Sequence, residues 1–317
     1  MTSETSRAVL SAERMRPVAP GGPVIAAHFL GPTAAFVLAE EAVVLVGEGG
    51  ERRVAAHGGA ILAAAAGARE VVTGGDDGRV VATNAAGEAR EIAQDPKRRW
   101  IDRVAAAGDA VAWSAGKTAF VRAGGETRSI DLPSSAGGLA FSPKGFRLAI
   151  AHYNGATLWF PNATATPEFL AWHGSHLNVT FSPDGRFLVT TMQEPMLHGW
   201  RLADGQHMRM SGYATKVRSI AWTADGKWLA TSGSDQLVLW PFQGKDGPMG
   251  KTPRILAPLA ARVVAVACHP TQEVAAAGYA DGTVLLVRIG DGAEVLARKP
   301  DGSAISALAW SRAGDRL

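Results

Sequence analysis

VRSIAWTADGKWLATSGSDQLVLW, residues 217–240, contains three short apolar runs: VRSIAW (217–222), KWLATSG (227–233) and LVLW (237–240). Period-two alternation rich in β-branched and aromatic residues marks half-buried strands, because successive side chains of an extended chain point to opposite faces. The first two runs are separated by Thr223-Ala224-Asp225-Gly226, whose glycine supplies the positive φ of a tight turn. Equivalent turns stand at Ser142-Pro143-Lys144-Gly145, Ser182-Pro183-Asp184-Gly185, His269-Pro270-Thr271-Gln272 and Ser311-Arg312-Ala313-Gly314. The first residues of the five turns, in chain order, lie 40, 41, 46 and 42 apart. A second set of hairpin turns closes the units, among them Asn84-Ala85-Ala86-Gly87, Ala203-Asp204-Gly205-Gln206 and Gly290-Asp291-Gly292-Ala293.

A period near 40 carrying four short strands reads as the blade of a β-propeller, an all-β fold of four-stranded antiparallel blades. One such blade cannot bury both of its faces alone, so the blades must stack on one another as a single domain. Phasing the chain on this frame places innermost strands near 24–29, 61–65, 101–105, 137–141, 177–181, 217–222, 263–268 and 305–310. The expectation is therefore seven complete repeats plus a partial eighth, with an eight-blade plan favoured over seven. Residues 1–13 are expected to be flexible, and 14–317 to form the propeller with its last blade incomplete. Residues 14–19, RMRPVA, stand where an N-terminal strand would cover the outer edge of the last blade.

The units at 137–160 (GGLAFSPKGFRLAIAHYNGATLWF), 177–200 (LNVTFSPDGRFLVTTMQEPMLHGW) and 217–240 resemble WD repeats in a degenerate, bacterial-type form. Trp159, Trp200 and Trp240 fall at the family's third-strand tryptophan. The resemblance implies a non-enzymatic scaffold for protein–protein contact. It also implies a hydrogen-bonded staple in each blade, made of a turn Asp, a strand Ser/Thr, a loop His and the Trp. Asp77, Asp235 and Asp281 match the turn Asp, His173 stands about where the loop His belongs, and Tyr213 replaces it one unit later. Departures are numerous: Glu194 or Asn154 occupies the turn position, and Val287 replaces the Trp in the seventh unit.

Composition narrows the alternatives. With 47% hydrophobic and 19% charged residues, 37 Gly and 17 Pro, the chain has ample core and turn material. A formal charge of +3, from 32 Lys+Arg against 29 Asp+Glu, is too small and too dispersed to argue for nucleic acid. Cys268 is the only cysteine, which excludes an intrachain disulfide and a thiolate-cluster metal site. The polar N-terminus has no signal-peptide core, no run is long enough to span a bilayer, and a cytoplasmic location is expected. No P-loop, dinucleotide-binding, zinc-protease or hydrolase motif occurs. No cofactor, small-molecule substrate or membrane partner is expected.

Two enzymatic or metal readings compete with this one. His173-Gly174-Ser175-His176, with His152 and His198 nearby, has a spacing that lets two imidazoles reach one zinc; the plainer reading is a staple histidine among packing residues. A propeller hydrolase would need polar groups on several innermost strands, where only His28, Asn178 and His269 qualify.

For partner contact, the loops that lead from one unit into the next contribute Lys97, Arg98, Arg99 and Trp100, then Trp172, His176, Lys216 and Arg262. Asp-Pro-Lys-Arg-Arg-Trp (95–100) is the densest basic cluster and pairs Arg with an aromatic, as binding hot spots do. An acidic protein is the expected partner, with anionic ligands or nucleic acid on the basic loops as the alternative. The facing turns contribute Tyr153, Asn154, Gln193 and Glu194 among others.

Overall fold

The computed structural model describes Ala8, Val9 and residues 15–317. The architecture is all-β, with no helix among the described residues, and its antiparallel meanders are those of a β-propeller. The chain divides into two compact units, Pro20–Gly212 and Tyr213–Leu317, the latter together with the described residues that precede Pro20.

The first unit carries four sheets. The first is built from Val24–Leu30, Thr33–Leu38, Ala42–Gly47 and Gly50–Ala55, and the second from Ile61–Ala66, Glu70–Gly75, Arg79–Asn84 and Ala89–Gln94. The third holds Ile101–Ala107, Ala110–Ala115, Thr118–Ala123 and Glu126–Asp131. The fourth is six-stranded: Gly138–Phe141, Leu148–Trp159, Glu168–Phe181, Phe187–Met192, Leu197–Arg201 and His207–Met210. The second unit carries Ile220–Trp222, Trp228–Thr231, Leu237–Pro241 and Arg254–Leu256 as one sheet, and Val263–Cys268, Val274–Tyr279, Val284–Arg288 and Glu294–Arg298 as another.

Burial follows strand position. All six residues of Ala110–Ala115 and of Phe187–Met192 are buried, whereas the outer strand Glu126–Asp131 is almost wholly exposed and correspondingly polar. Second strands are covered on both faces because neighbouring sheets stack. Ala112 and Val121 of the third sheet share a cluster with Leu139, Leu148 and Ile150 of the fourth. Val72 and Val80 of the second sheet meet Ile101 and Val111 of the third in the same way. Each fully buried aliphatic side chain contributes roughly 1.5–3 kcal/mol.

Hydrogen bonding groups the described strands into six sheets, not the seven or eight separate blades that the repeat count predicts. The reason lies between the fourth and fifth repeats. Elsewhere a loop separates one repeat's outer strand from the next repeat's inner strand, but Glu168–Phe181 runs through as one strand with only a corner at Gly174 (φ 106). Its first part pairs with Gly155–Leu158 and its last part with Leu188–Met192, so two sequence repeats share one sheet. Leu148–Trp159 is likewise counted as one strand, although it reverses tightly at Asn154 (φ 66) and Gly155 (φ 148).

Two further expectations are corrected. Residues 305–310 form no strand, although the turn after them closes as in the other repeats, with the Ser311 N–H donating to the Arg316 carbonyl at 2.9 Å. Residues 15–19 form no strand either, and Pro17 there lacks the N–H that a ladder needs. The outer edge of Glu294–Arg298 is instead met in parallel by Ala8–Val9. Apart from those two residues, the segment expected to be flexible, 1–13, lies outside the described residues, as does Arg14.

Candidate interaction surface and repeat staples

The basic loop is built on a buried acid. Asp95 is only 4% exposed, and its carboxylate accepts the backbone N–H groups of Lys97 (2.9 Å) and Arg99 (3.1 Å) and the Arg99 guanidinium (2.7 Å). Burial alone would raise the Asp95 pKa. The Arg99 side chain and these backbone donors outweigh it and hold the carboxyl below its usual range. The Arg98 N–H donates to the Asp95 carbonyl at 2.9 Å, and Arg98 sits in the left-handed region at φ 51. Gly78 makes room for this bend, since a Cβ there would lie 2.8 Å from the Arg98 Cα.

The four residues expected to act together therefore divide. Arg99 is occupied by Asp95. Lys97 and Arg98 are exposed, and Trp100 is 66% exposed, more than any other large hydrophobic side chain among the described residues.

The other expected contact residues lie elsewhere. Trp172 is packed, not presented: its indole stacks on His198 at 4.0 Å and 14°, with His173 and His207 against it at 4.7 and 4.8 Å. His176 is 1% exposed, which removes it from any surface. In the other unit, Arg262 is exposed and Lys216 is half-buried, each in the loop before an inner strand.

Buried His176 instead takes the staple position expected of His173, which is exposed. Its Nε2–H donates to the Trp172 carbonyl at 3.0 Å and its Nδ1 lies 2.7 Å from the Thr190 hydroxyl, while Trp200 packs beside the ring. The misassignment follows from the H-x-x-H spacing: either histidine fits the loop, and only the corner at Gly174 decides which turns inward.

Two further networks share this plan. Tyr213 is 2.7 Å from the Thr231 hydroxyl and accepts the Trp240 indole N–H at 2.6 Å. His57 donates from Nδ1 to Asp77 at 3.0 Å and lies 2.8 Å from the Thr73 hydroxyl through Nε2. His57 was missed in the sequence because residues 20–135 follow the repeats only in rhythm; the signal was its placement ahead of Thr73, as Tyr213 stands ahead of Thr231.

Asp77 thus bonds to His57 and is also fixed by the N–H groups of Gly58 and Arg79. Asp235 is not: it is exposed and bonded to its neighbours Ser234 and Gln236. Asp281 shapes its own turn by accepting the Thr283 N–H at 2.9 Å. Trp159, Trp200 and Trp240 are all buried.

The histidine-rich region does not converge on a metal. His152 is bonded to the Tyr153 carbonyl and Thr157, and His176 is engaged as above. His198 and His207 stack at 5.5 Å and 28°, so their in-plane lone pairs run side by side instead of meeting at one point. No group of three metal-ligating side chains occurs among the described residues. Both ring nitrogens of His198 are buried without a hydrogen-bond partner; burial, then the neighbouring His176 and His207, push its pKa down to about 3.

Of the three channel candidates, His269 is committed to its turn, bonded to the Gly314 carbonyl and to the Thr271 and Gln272 N–H groups. The Asn178 side chain accepts the Val179 N–H at 2.8 Å. His28 is held neutral by burial, its pKa down to about 4. Among the described residues no helix is long and apolar enough to cross a membrane.

Comparison with known proteins agrees with the staples. Residues 206–240 match the family described as WD40: WD domain, G-beta repeat. WD repeat-containing protein 1-B of Xenopus laevis is 33% identical over 76 residues, 23% of this chain and 12% of that protein. Small ribosomal subunit protein RACK1z of Oryza sativa subsp. japonica is 23% identical over 123 residues, 38% of this chain and 37% of that protein. The chain thus spans well under half the length of either relative. The computationally designed Ika8 protein superposes with a TM-score of 0.74 over 91% of both chains at 18% identity, a likeness of fold alone. The ring–threonine staples, the third-strand tryptophans and these matches together support a likeness to the WD-repeat β-propeller family, matched by the family model at residues 206–240.

Proposed function

We propose that the chain is a non-enzymatic, cytoplasmic scaffold of bacterial type, a single propeller domain over residues 14–317 that holds a protein partner by its loops, with the Lys97–Trp100 loop as the principal contact. The observation that carries this reading is the combination of an exposed Trp100 with exposed Lys97 and Arg98 on a loop fixed by a buried carboxylate. A loop ordered before binding loses little entropy on association, and an aromatic beside cations favours an acidic segment. Arg262 and Lys216, taken by themselves within the other unit, are separate candidate contacts of the same sign. A relative whose name places it in the small ribosomal subunit works inside a larger assembly, which is in keeping with a scaffold.

The test uses a fluorescent peptide alternating aspartate with leucine, its asparagine counterpart, and a single-stranded oligonucleotide. Preferential binding of the acidic peptide, weakened by Trp100→Ala and by Lys97→Glu/Arg98→Glu with the melting temperature unchanged, supports the reading. Equal binding of acidic and asparagine peptides contradicts it, and preferential binding of the oligonucleotide with a steep salt dependence transfers the loop to nucleic acid.

A further inference from the structure

A second surface in the first unit has the opposite character. Tyr153 is 58% and Phe169 53% exposed, and the buried His152 joins them. The Phe169 ring stacks on its imidazole at 5.6 Å and 10°, and its Nδ1–H donates to the Tyr153 carbonyl at 2.9 Å. Gly155 allows the close approach. A Cβ there would run into the Leu170 carbonyl and lie 3.0 Å from the edge of the Phe169 ring. The Phe169 ring and the Tyr153 backbone are thereby anchored to one buried imidazole.

A carboxylate lies on the adjoining turn, reached from Tyr153 through Asn154 and Gly174. Asn154 accepts the Gly174 N–H at 3.2 Å, and the Glu194 oxygens lie 3.2 and 3.3 Å from where a Gly174 Cβ would stand. Glu194 is exposed and forms no ion pair with Lys or Arg among the described residues. Glu168, next to Phe169, is also exposed.

We propose that Tyr153, Phe169 and Glu194 form a docking surface for an arginine side chain carried by a partner protein. A guanidinium stacks on an aromatic face and donates two parallel N–H groups to a carboxylate, whereas an ammonium makes a point contact and stacks less well. The unpaired carboxylate disfavours the acidic segment assigned to the Lys97–Trp100 loop. This proposal adds a contact to the scaffold reading but shares no residue with that loop, so either can fail alone.

The probe is a fluorescent peptide alternating arginine with glycine, compared with its lysine and citrulline counterparts by anisotropy against the full chain. The arginine peptide binds most tightly, and Phe169→Ala and Glu194→Gln each weaken it about twofold to fivefold, the range expected of exposed cation–π and ion-pair contacts. Trp100→Ala leaves it unchanged. Both altered side chains are exposed, and an unaltered melting temperature confirms folding. Equal binding of arginine and citrulline peptides, or indifference to Phe169→Ala, overturns the proposal.

Discussion

The repeat around Tyr213 and the repeat around His176 solve the same problem with different rings. In each, a buried ring lies 2.7 Å from a second-strand threonine, and that hydroxyl also reaches a third-strand carbonyl, Val238 at 3.1 Å or His198 at 3.2 Å. The phenol is further held by the Trp240 indole N–H, whereas the imidazole donates to the Trp172 carbonyl. What persists is a ring–threonine–carbonyl relay in position though not in direction, since the neutral imidazole takes the threonine proton at Nδ1 whereas the phenol leaves it for the carbonyl; the fourth member is whatever lies within reach. A degenerate repeat can therefore stay ordered without the full set of family residues, provided that every buried polar atom of the relay finds a partner.

The largest expected effect falls on the tryptophan. Trp240→Ala removes a buried indole and the donor to Tyr213, and is expected to cost about 3–5 kcal/mol in denaturant unfolding. Tyr213→Phe leaves the indole N–H without its acceptor, at about 1–3 kcal/mol. Tyr213→His is expected to lose less than Tyr213→Phe if the two rings are equivalent in role, and an equal loss would break the comparison.

Acid should separate the two repeats. Burial lowers the pKa values of His152 and His176, and takes that of His198 to about 3. Above pH 6.5 these rings are neutral whether folded or unfolded. Below it the unfolded chain binds protons that the folded chain refuses, so stability falls as pH drops from 6.5 towards the folded values. For His198 the loss between pH 7 and pH 5 is about 2 kcal/mol. Residue-resolved hydrogen exchange at the two pH values should show faster opening in Leu197–Arg201, with Leu237–Pro241 little changed. His198→Phe, which removes two unpartnered nitrogens, should flatten that acid limb; an unaltered limb would remove His198 as its source.

The fold was legible because a strand, a turn and a strand recur about every 40 residues, and that period survives loss of the family's signature residues. The sheet count was not, because whether a corner such as Gly174 interrupts a strand is decided by backbone dihedrals and not by residue type. Trp100 was legible as an exposed aromatic beside cations. The role of Asp95 as the acid that organises the loop was not, since its burial follows from contacts with Arg99 and two backbone N–H groups that only the folded loop supplies. His173 and His176 were exchanged because their spacing in the sequence is symmetrical with respect to both roles.

The smallest effect in this series is also the most direct test of a preformed platform. Hydrogen exchange of the Lys97, Arg98 and Arg99 amides, all bonded to Asp95, should be slowed to rates like those of the adjoining strand Ile101–Ala107 in the isolated protein. Exchange at the rate of an unstructured peptide would contradict a loop organised before its partner arrives.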